Sequence, residues 1–503
     1  MSPTSVASAS SSEHGEVPDQ RSFPGVAQCP VCGGDRVHYS FSLPTVRVVQ
    51  CRDCSFSFCA ETRCVTSTNA TTALESIARL RGPISEMLDK VAKGLAITIS
   101  SVELAHWDMD GTVRLTQWQS DPAKTLTDRL KDRQHQRVIL SVGQLESFCD
   151  PVKSLSLLRS QVKEGDVIVF IFSDVRHLGA RIGTREWEQL IDERAAYLDS
   201  QTAIKVLFRA GFRTKAALRL EPESNEPSPK TLKNTLASSE VALVTTRRES
   251  KEPLLSVIIP VFDEAATVKT VIDSVLGIQL EGAQIELIVV ESNSNDGSRE
   301  IVQGYANHPR VACIFEDSPQ GKGHAIREGL HHARGDVLII QDADLEYDFE
   351  DYHSLVEPIL RGREAFILGS RHGGRNHWKL RRFTKPLLAK LYNLAHVLVT
   401  AYINVLFGLG LRDPQTMFKV FRRDCMEGIE FSGNYFNFDY ELLLKIVRKG
   451  YKPTEIPVNY RSRSHAEGKK IRMWRDAPLG LWTITKLRFT PLSSFLVFGD
   501  PVE

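Results

Sequence analysis

Two groups of side chains in this 503-residue chain have the types and spacing to do chemistry. The first is the run Ile339-Ile340-Gln341-Asp342-Ala343-Asp344-Leu345-Glu346, an apolar stretch that ends in two carboxylates one residue apart. At the carboxyl end of a parallel strand both carboxylates reach one divalent cation, Mg2+ or Mn2+, and can hold it against a diphosphate. Alone, such a pair fits a solvated acidic turn equally well, so the neighbouring loops decide. The second group is Cys29-Pro-Val-Cys32, followed after eighteen residues by Cys51-Arg-Asp-Cys54. Four thiolates in two such knuckles close a tetrahedral Zn2+ site, which stabilises a segment too small for a core of its own. A redox pair or free thiols are the alternatives, and Cys59 and Cys64 fall outside the spacing.

The chain is too long for one ordinary core and reads as two domains or more. A net charge of +1 and 42% hydrophobic content describe a soluble globular protein, with no global bias toward nucleic acid. Residues 1–25 are Ser-rich at their start, lack the apolar stretch of a signal peptide, and read as a disordered tail. No window holds 18 uninterrupted apolar residues, so no transmembrane helix is expected. Nine cysteines, four of them in the paired pattern, suit a reducing compartment. The expected location is the cytoplasm, with any membrane contact peripheral at the inner face.

The elements that must position the carboxylates begin at Leu254, where the periodicity becomes that of a doubly wound α/β domain. Strands read at Leu255–Pro260, Glu286–Val290, Val311–Phe315, Val337–Gln341 and Ala365–Leu368, with helical patterns at 266–277, 298–306 and 324–334. Right-handed crossovers put every strand's carboxyl end along one edge. The loops there are Pro260-Val-Phe-Asp263-Glu264, Glu291-Ser-Asn293-Ser-Asn295-Asp296-Gly297-Ser298, Gly321-Lys322-Gly323-His324, and Asp342-x-Asp344. Further on come Gly369-Ser370-Arg371, Asp413-Pro-Gln-Thr416-Met-Phe418-Lys419, Phe438-Asp439-Tyr-Glu441 and Glu467-Gly468-Lys469-Lys470-Ile471.

This set, in this order, resembles the GT-A fold of family 2 glycosyltransferases over residues 254–490. It is most similar to the branch of dolichyl- and polyprenyl-phosphate mannosyl- and glucosyltransferases. The resemblance implies a metal-dependent, inverting transfer of a hexose from a UDP- or GDP-sugar to a polyprenyl phosphate or a glycan acceptor. It puts Mg2+ or Mn2+ at Asp342 and Asp344. Pro260, Glu264, Glu291, Asn293, Lys322, Asp342 and Lys469 fall at the donor, and Arg371, Arg381, Arg382 and Asp413 at the acceptor. Asp439, Asp344 and Arg371 are the implied catalytic residues, Asp439 serving as base if the acceptor is a hydroxyl. Where relatives more often carry Asp-Asp, this chain has Glu291-Ser292, which leaves the base of the nucleotide open.

Charge agrees with anionic ligands. Residues 342–357 hold seven carboxylates and no Arg or Lys, whereas 371–390 hold seven Arg or Lys and no acid, and 445–475 hold ten basic residues against two acidic. The apolar stretch Pro386–Leu411, with Lys390, Asn393, His396 and Asn404 interspersed, suits an amphipathic helix pair lying on a membrane surface. A packing helix or a subunit interface is the alternative.

Upstream, Arg137–Val142 and Val167–Phe172 read as strands, with a helix carrying Leu155, Leu157 and Leu158 between them. Ser200–Ala210 reads as a helix stopped by Gly211-Phe212, and Val241–Thr246 as a last strand. With the segment Leu145-Glu146-Ser147…Asp150-Pro151 and the turn Gly165-Asp166, this is similar to the C-terminal half of class I S-adenosylmethionine methyltransferases that begin with a cysteine-rich knuckle. The cofactor loop of that family is glycine-rich, and here Gly82, Gly94 and Gly111 are isolated. Without such glycines the backbone cannot come close to the cofactor. The expected organisation is therefore a tail (1–25), a zinc knuckle (26–64), a degenerate methyltransferase-like domain (65–248), a linker (249–253) and the GT-A domain (254–503). An active methyltransferase, and a non-catalytic binding protein, are the rival readings.

Overall fold

The central strands of the C-terminal half, Leu254–Val261, Gln284–Glu291 and Val337–Ile340, are rich in Val, Ile and Leu and buried on both faces, the composition that a parallel sheet covered by helices demands. In the computed structural model, which describes residues 28–42, 47–59, 81–95, 98–107, 113–117, 135–142, 145, 148, 150–173, 196–220, 240–250, 252–372, 386–461, 473–496 and 498–499, three sheets form a mixed α/β architecture.

The largest sheet contains β11 (Leu254–Val261), β12 (Gln284–Glu291), β13 (Val311–Phe315), β14 (Val337–Ile340), β15 (Phe366–Ser370), β16 (Lys419–Arg422) and β17 (Thr454–Pro457), in the spatial order β13-β12-β11-β14-β16-β15-β17. β16 alone runs against its neighbours β14 and β15. Helices α4 (Val268–Gly277), α5 (Ser298–Gln303), α6 (Lys322–His332) and α7 (Asp351–Leu360) connect the parallel strands, within a few residues of their expected bounds where expected. Three more helices follow: α8 (Pro386–Phe407), α9 (Phe438–Arg448) and α10 (Met473–Phe489). Pro386–Leu411 was expected as a helix pair; instead α8 is one continuous helix, because no glycine or proline interrupts it before Gly408. Among the described residues no helix is long and apolar enough to cross a membrane.

The second sheet has the order β5-β4-β6-β7-β10-β9, formed by β4 (Thr98–Trp107), β5 (Val113–Gln117), β6 (His135–Val142), β7 (Val167–Ser173), β9 (Phe212–Arg219) and β10 (Glu240–Arg247). β10 inserts antiparallel between β7 and β9. β4, unforeseen in the sequence, returns directly as the antiparallel β5 rather than through a helical crossover. Helices α1 (Arg81–Gly94), α2 (Pro151–Gln161) and α3 (Ser200–Arg209) accompany this sheet. The third sheet joins β1 (Val37–Ser42), β2 (Arg47–Cys51) and β3 (Ser57–Cys59) of the cysteine knuckle to β8 (Ala196–Tyr197), so the knuckle borrows a strand from just before α3. The tail at 1–25 lies outside the described residues.

The parts are locked by charge as well as by apolar packing. Arg213 of β9 donates from Nη2 and Nε to Oδ1 of Asp336 at 2.7 and 3.1 Å, and Leu254 N–H donates to Oδ2 at 3.2 Å. Arg248 is buried with its Nη1 3.9 Å from Asp336, in what was expected to be the edge of a linker, and burial pushes its guanidinium down to about 10. Arg209 of α3 donates to the carbonyls of both Val31 in the knuckle and Leu360 at the end of α7. Removing a buried counter-ion leaves its partners uncompensated, so Asp336→Ala is expected to destabilise the protein by about 3 kcal/mol, read from urea denaturation.

Candidate active site

The site follows from where two strands part. β11 pairs with β14 from Leu255–Val337 to Ile258–Ile340, whereas its pairing with β12 continues to Val261–Glu291. The crossovers leave β11 in opposite directions here, which makes the gap beyond Ile258 the topological switch point of the sheet. Pro260 lies in β11 with its missing N–H on the side where β14 has ended, so the proline costs no ladder hydrogen bond. Gln341 N–H closes the last bond, to Ile258 O at 2.9 Å, and the chain then turns through Asp342-Ala343-Asp344. Thr267 Oγ1 donates to Ala343 O at 2.7 Å and tethers that turn to the loop carrying Glu264.

Glu264 is half-buried, and its N–H donates to Ser298 Oγ at 2.8 Å. Glu291 and Asn293, expected at the donor, are both hydrogen-bonded within their loop. Glu291 is fully buried and accepts from Asn293 N–H, Ser294 N–H and Arg299 Nη1 at 3.2, 2.7 and 3.0 Å. Asn293, at φ +55°, donates to Asp317 O at 3.0 Å and accepts from Arg299. Asp296 accepts from Ala265 N–H and from Ser298 N–H and so joins this loop to the one carrying Glu264.

Three cation–carboxylate pairs converge at the strand ends. Lys322 Nζ lies 2.5 Å from Oδ1 of Asp342, yet that buried oxygen receives no aligned hydrogen bond. Asp344 is buried and accepts Glu346 N–H at 3.1 Å. Burial pushes the Lys322 ammonium down, but Asp342, Asp344 and Asp439 more than offset this and hold it above its ordinary value. Lys322 opens α6, where glycine is required on both sides: a Cβ on Gly321 (φ +110°) would fall 2.4 Å from Asn434 O, and one on Gly323 2.6 Å from Phe438 Cβ. That close approach brings α6 and α9 together. Asp439, in the first turn of α9, pairs with Lys419, the fully buried first residue of β16. Burial pushes Asp439 up and Lys419 down. Glu441 instead clamps Ser432 and Gly433 N–H groups and Lys445, a structural part.

The third pair is Arg371 with Asp413. Asp413 was expected at the acceptor, but it is fully buried: Arg371 donates to it from N, Nε and Nη2 at 2.9, 2.8 and 2.7 Å. Glu455 in turn accepts Asp413 N–H at 2.6 Å. Asp413 thus aims Arg371. Burial pushes its carboxyl up, but the Arg371 guanidinium more than offsets this and holds it well below the usual carboxylate range. The imidazole of His396 on α8 lies 3.7 Å from Asp413, and burial, with Arg371 and His372 adding to it, pulls that imidazole down to about 4. Lys419, His372 and His396 were assigned no role from sequence; the signal available for Lys419 was a lysine opening the short strand Lys419–Arg422. Arg381, Arg382 and Lys469 lie outside the described residues.

In the knuckle, all four cysteines are buried, with Cys29 and Cys54 sulfurs 3.5 Å apart and Cys32 and Cys51 sulfurs 3.6 Å apart. Gly34 N–H and Asp53 N–H point at Cys32 and Cys51 Sγ, each at 3.4 Å. The donor set fits one tetrahedral, sulfur-ligated ion.

Residues 256–428 match the family model described as Glycosyl transferase family 2. Over 231 residues the chain is 30% identical to a dolichyl-phosphate beta-glucosyltransferase of Trichomonas vaginalis, covering 42% of this chain and 66% of that one. Over 218 residues it is 29% identical to the dolichol-phosphate mannosyltransferase of Pyrococcus furiosus, covering 43% and 58%. A solved structure, glucosyl-3-phosphoglycerate synthase from Mycobacterium tuberculosis in complex with UDP, aligns at 19% identity and TM-score 0.37 over 48% of this chain and 81% of that one. The chain thus spans about half to two thirds of the length of such curated relatives.

Asp413→Asn leaves Arg371 buried without its counter-ion and is expected to cost about 3 kcal/mol at neutral pH. A depressed carboxyl contributes in full above its unfolded-state value of about 3.9 and is lost as pH falls toward the lower folded value. The stability gap between wild type and variant, followed by urea denaturation, is therefore expected to stay constant from about pH 8 to 5 and to narrow only below about pH 4.

Proposed function

We propose that residues 254–503 form a GT-A glycosyltransferase domain that moves a hexose from a UDP- or GDP-sugar to a polyprenyl phosphate with inversion. The observation that carries the proposal is the Asp342/Asp344 pair at the switch point, with Lys322 2.5 Å from Asp342 and Arg371 aimed by its forked pairing with Asp413. The buried Asp342 Oδ1 without an aligned donor fits a divalent cation, and Asp342 and Asp344 would hold Mg2+ or Mn2+. When bound, that ion supplies Lewis-acid neutralisation of the charge developing on the departing diphosphate. Lys322 adds a second, already oriented positive charge to the same oxygens. Pro260 and Glu264 line the donor side of the gap, and Glu291 and Asn293 keep its loop in shape.

On the acceptor side Arg371 presents the guanidinium edge that Asp413 leaves over, suited to a phosphate. A phosphate nucleophile is already an anion, so Asp439 can remain tied to Lys419 and no general base is required. An apolar face on α8 (Leu394, Leu398, Val405) and α10 (Leu481, Trp482, Phe489) is exposed, and Tyr402 of α8 bonds Thr485 of α10 at 2.8 Å. Lys486 and Arg488 border that face in the last turn of α10, which supports peripheral contact with an anionic membrane surface. The same supports the polyprenyl reading over a glycan hydroxyl. We assign structural zinc to Cys29, Cys32, Cys51 and Cys54. The middle domain reads as a degenerate methyltransferase fold acting as a brace, in keeping with the direct β4–β5 return where a cofactor crossover would stand.

The test follows label from a panel of UDP- and GDP-sugars into short-chain polyprenyl phosphate with Mg2+ or Mn2+. Metal-dependent transfer from one donor is expected, falling at least about 100-fold in Asp344→Asn. Arg371→Lys, which loses the fork, is expected to raise KM for the lipid phosphate about tenfold. Donor binding without lipid transfer would redirect the reading to a hydroxyl acceptor with Asp439 as base, and absent donor binding would end it.

A further inference from the structure

Beside Arg371, and apart from both ion sites described above, three side chains that can ligate a metal face one another. We propose that His372, His396 and Asp413 form a second zinc-type site, for a divalent d-block cation bound by two imidazoles and a carboxylate.

The ligand atoms come from three places: the turn after β15, the middle of α8 and the loop that follows it. His372 Nε2 and His396 Nε2 are 3.3 Å apart, and His396 Nε2 is 3.7 Å from Asp413 Oδ1. All three ligand atoms lie within 4.8 Å of one another. A tetrahedral ion with metal–nitrogen bonds of about 2.0–2.1 Å has ligand-to-ligand edges of roughly 3.3 Å, so the imidazole pair is already spaced for it. Two nitrogens and one oxygen select Zn2+, Co2+ or Ni2+ over Mg2+, which prefers an all-oxygen shell. Asp413 also has the outer partners that ligating carboxylates carry, since Arg371 donates to both its oxygens. Arg371 is a positive neighbour, offset by Asp413 and by the Glu455 carboxylate on the other side of the loop. An ion here would fasten α8, whose outer face is apolar, to the sheet edge that carries Arg371.

The test uses the full chain in an Asp342→Asn background, which takes one carboxylate from the Asp342/Asp344 pair, dialysed against buffered Zn2+ and assayed for zinc by mass spectrometry. Two zinc ions per chain are expected in that background, one held by the four cysteines, and one per chain after adding His372→Ala. His372→Cys, which keeps a ligand, is expected to restore the second. Added Zn2+ should raise Tm in the background and not in the His372→Ala variant, while Mg2+ raises neither. Far-ultraviolet circular dichroism of each variant shows that it is folded. Equal zinc content with and without His372, or a zinc-dependent Tm rise that survives His372→Ala, would overturn the proposal and leave a plain imidazole–imidazole hydrogen bond.

Discussion

Removing an ion from water costs several kcal/mol even after a protein relaxes around it, and this chain gathers six such groups at one end of a sheet. They are tolerated because each cation is handed a carboxylate: Lys322 with Asp342, Lys419 with Asp439, and Arg371 with Asp413. The pairing dictates the surrounding fold. Lys419 must enter on the antiparallel strand β16, Asp439 must open a helix, and α6 must approach α9 closely enough that only glycine fits at 321 and 323. The pairs differ in what they leave available. Both oxygens of Asp413 take hydrogen bonds from Arg371, whereas Asp342 retains an oxygen with no aligned donor.

The N-terminal half meets the same requirement from the opposite side. Asp336 stands one residue before β14, the strand that delivers the acidic turn, and Arg213 and Arg248 from the neighbouring domain neutralise it. Arg209 and Lys205 carry the connection on to carbonyls of the cysteine knuckle. The knuckle, the middle sheet and the back of the large sheet therefore share one apolar cluster and one chain of polar contacts.

Much of the large sheet was legible because buried parallel strands are written as continuous aliphatic runs: Val311–Phe315 has the bounds read from sequence, and the others shift by a residue or two. The acidic turn, Lys322 and Arg371 were legible as residues, since charged groups directly after such runs have few other reasons to be there. Partnership was not. The motif names Asp413 and Glu291, and only the folded geometry shows their oxygens hydrogen-bonded by Arg371 and by the loop's own N–H groups. Lys419 gave no sign of its role in the short strand KVFR, because its buried partner lies twenty residues away. The β4–β5 return escaped notice because alternating polar strands such as Val113–Gln117 carry weak periodicity.

Gly94 ends α1, and the ring of Phe498 occupies the place where its side chain would begin, within 2.2 Å of an added Cβ. Phe498 packs against the apolar cluster built around β4, β6 and β7. The helix made early in synthesis therefore waits some four hundred residues for the ring that covers it. During translation at roughly 5–20 residues per second, that surface stays open for tens of seconds before the chain itself can cover it.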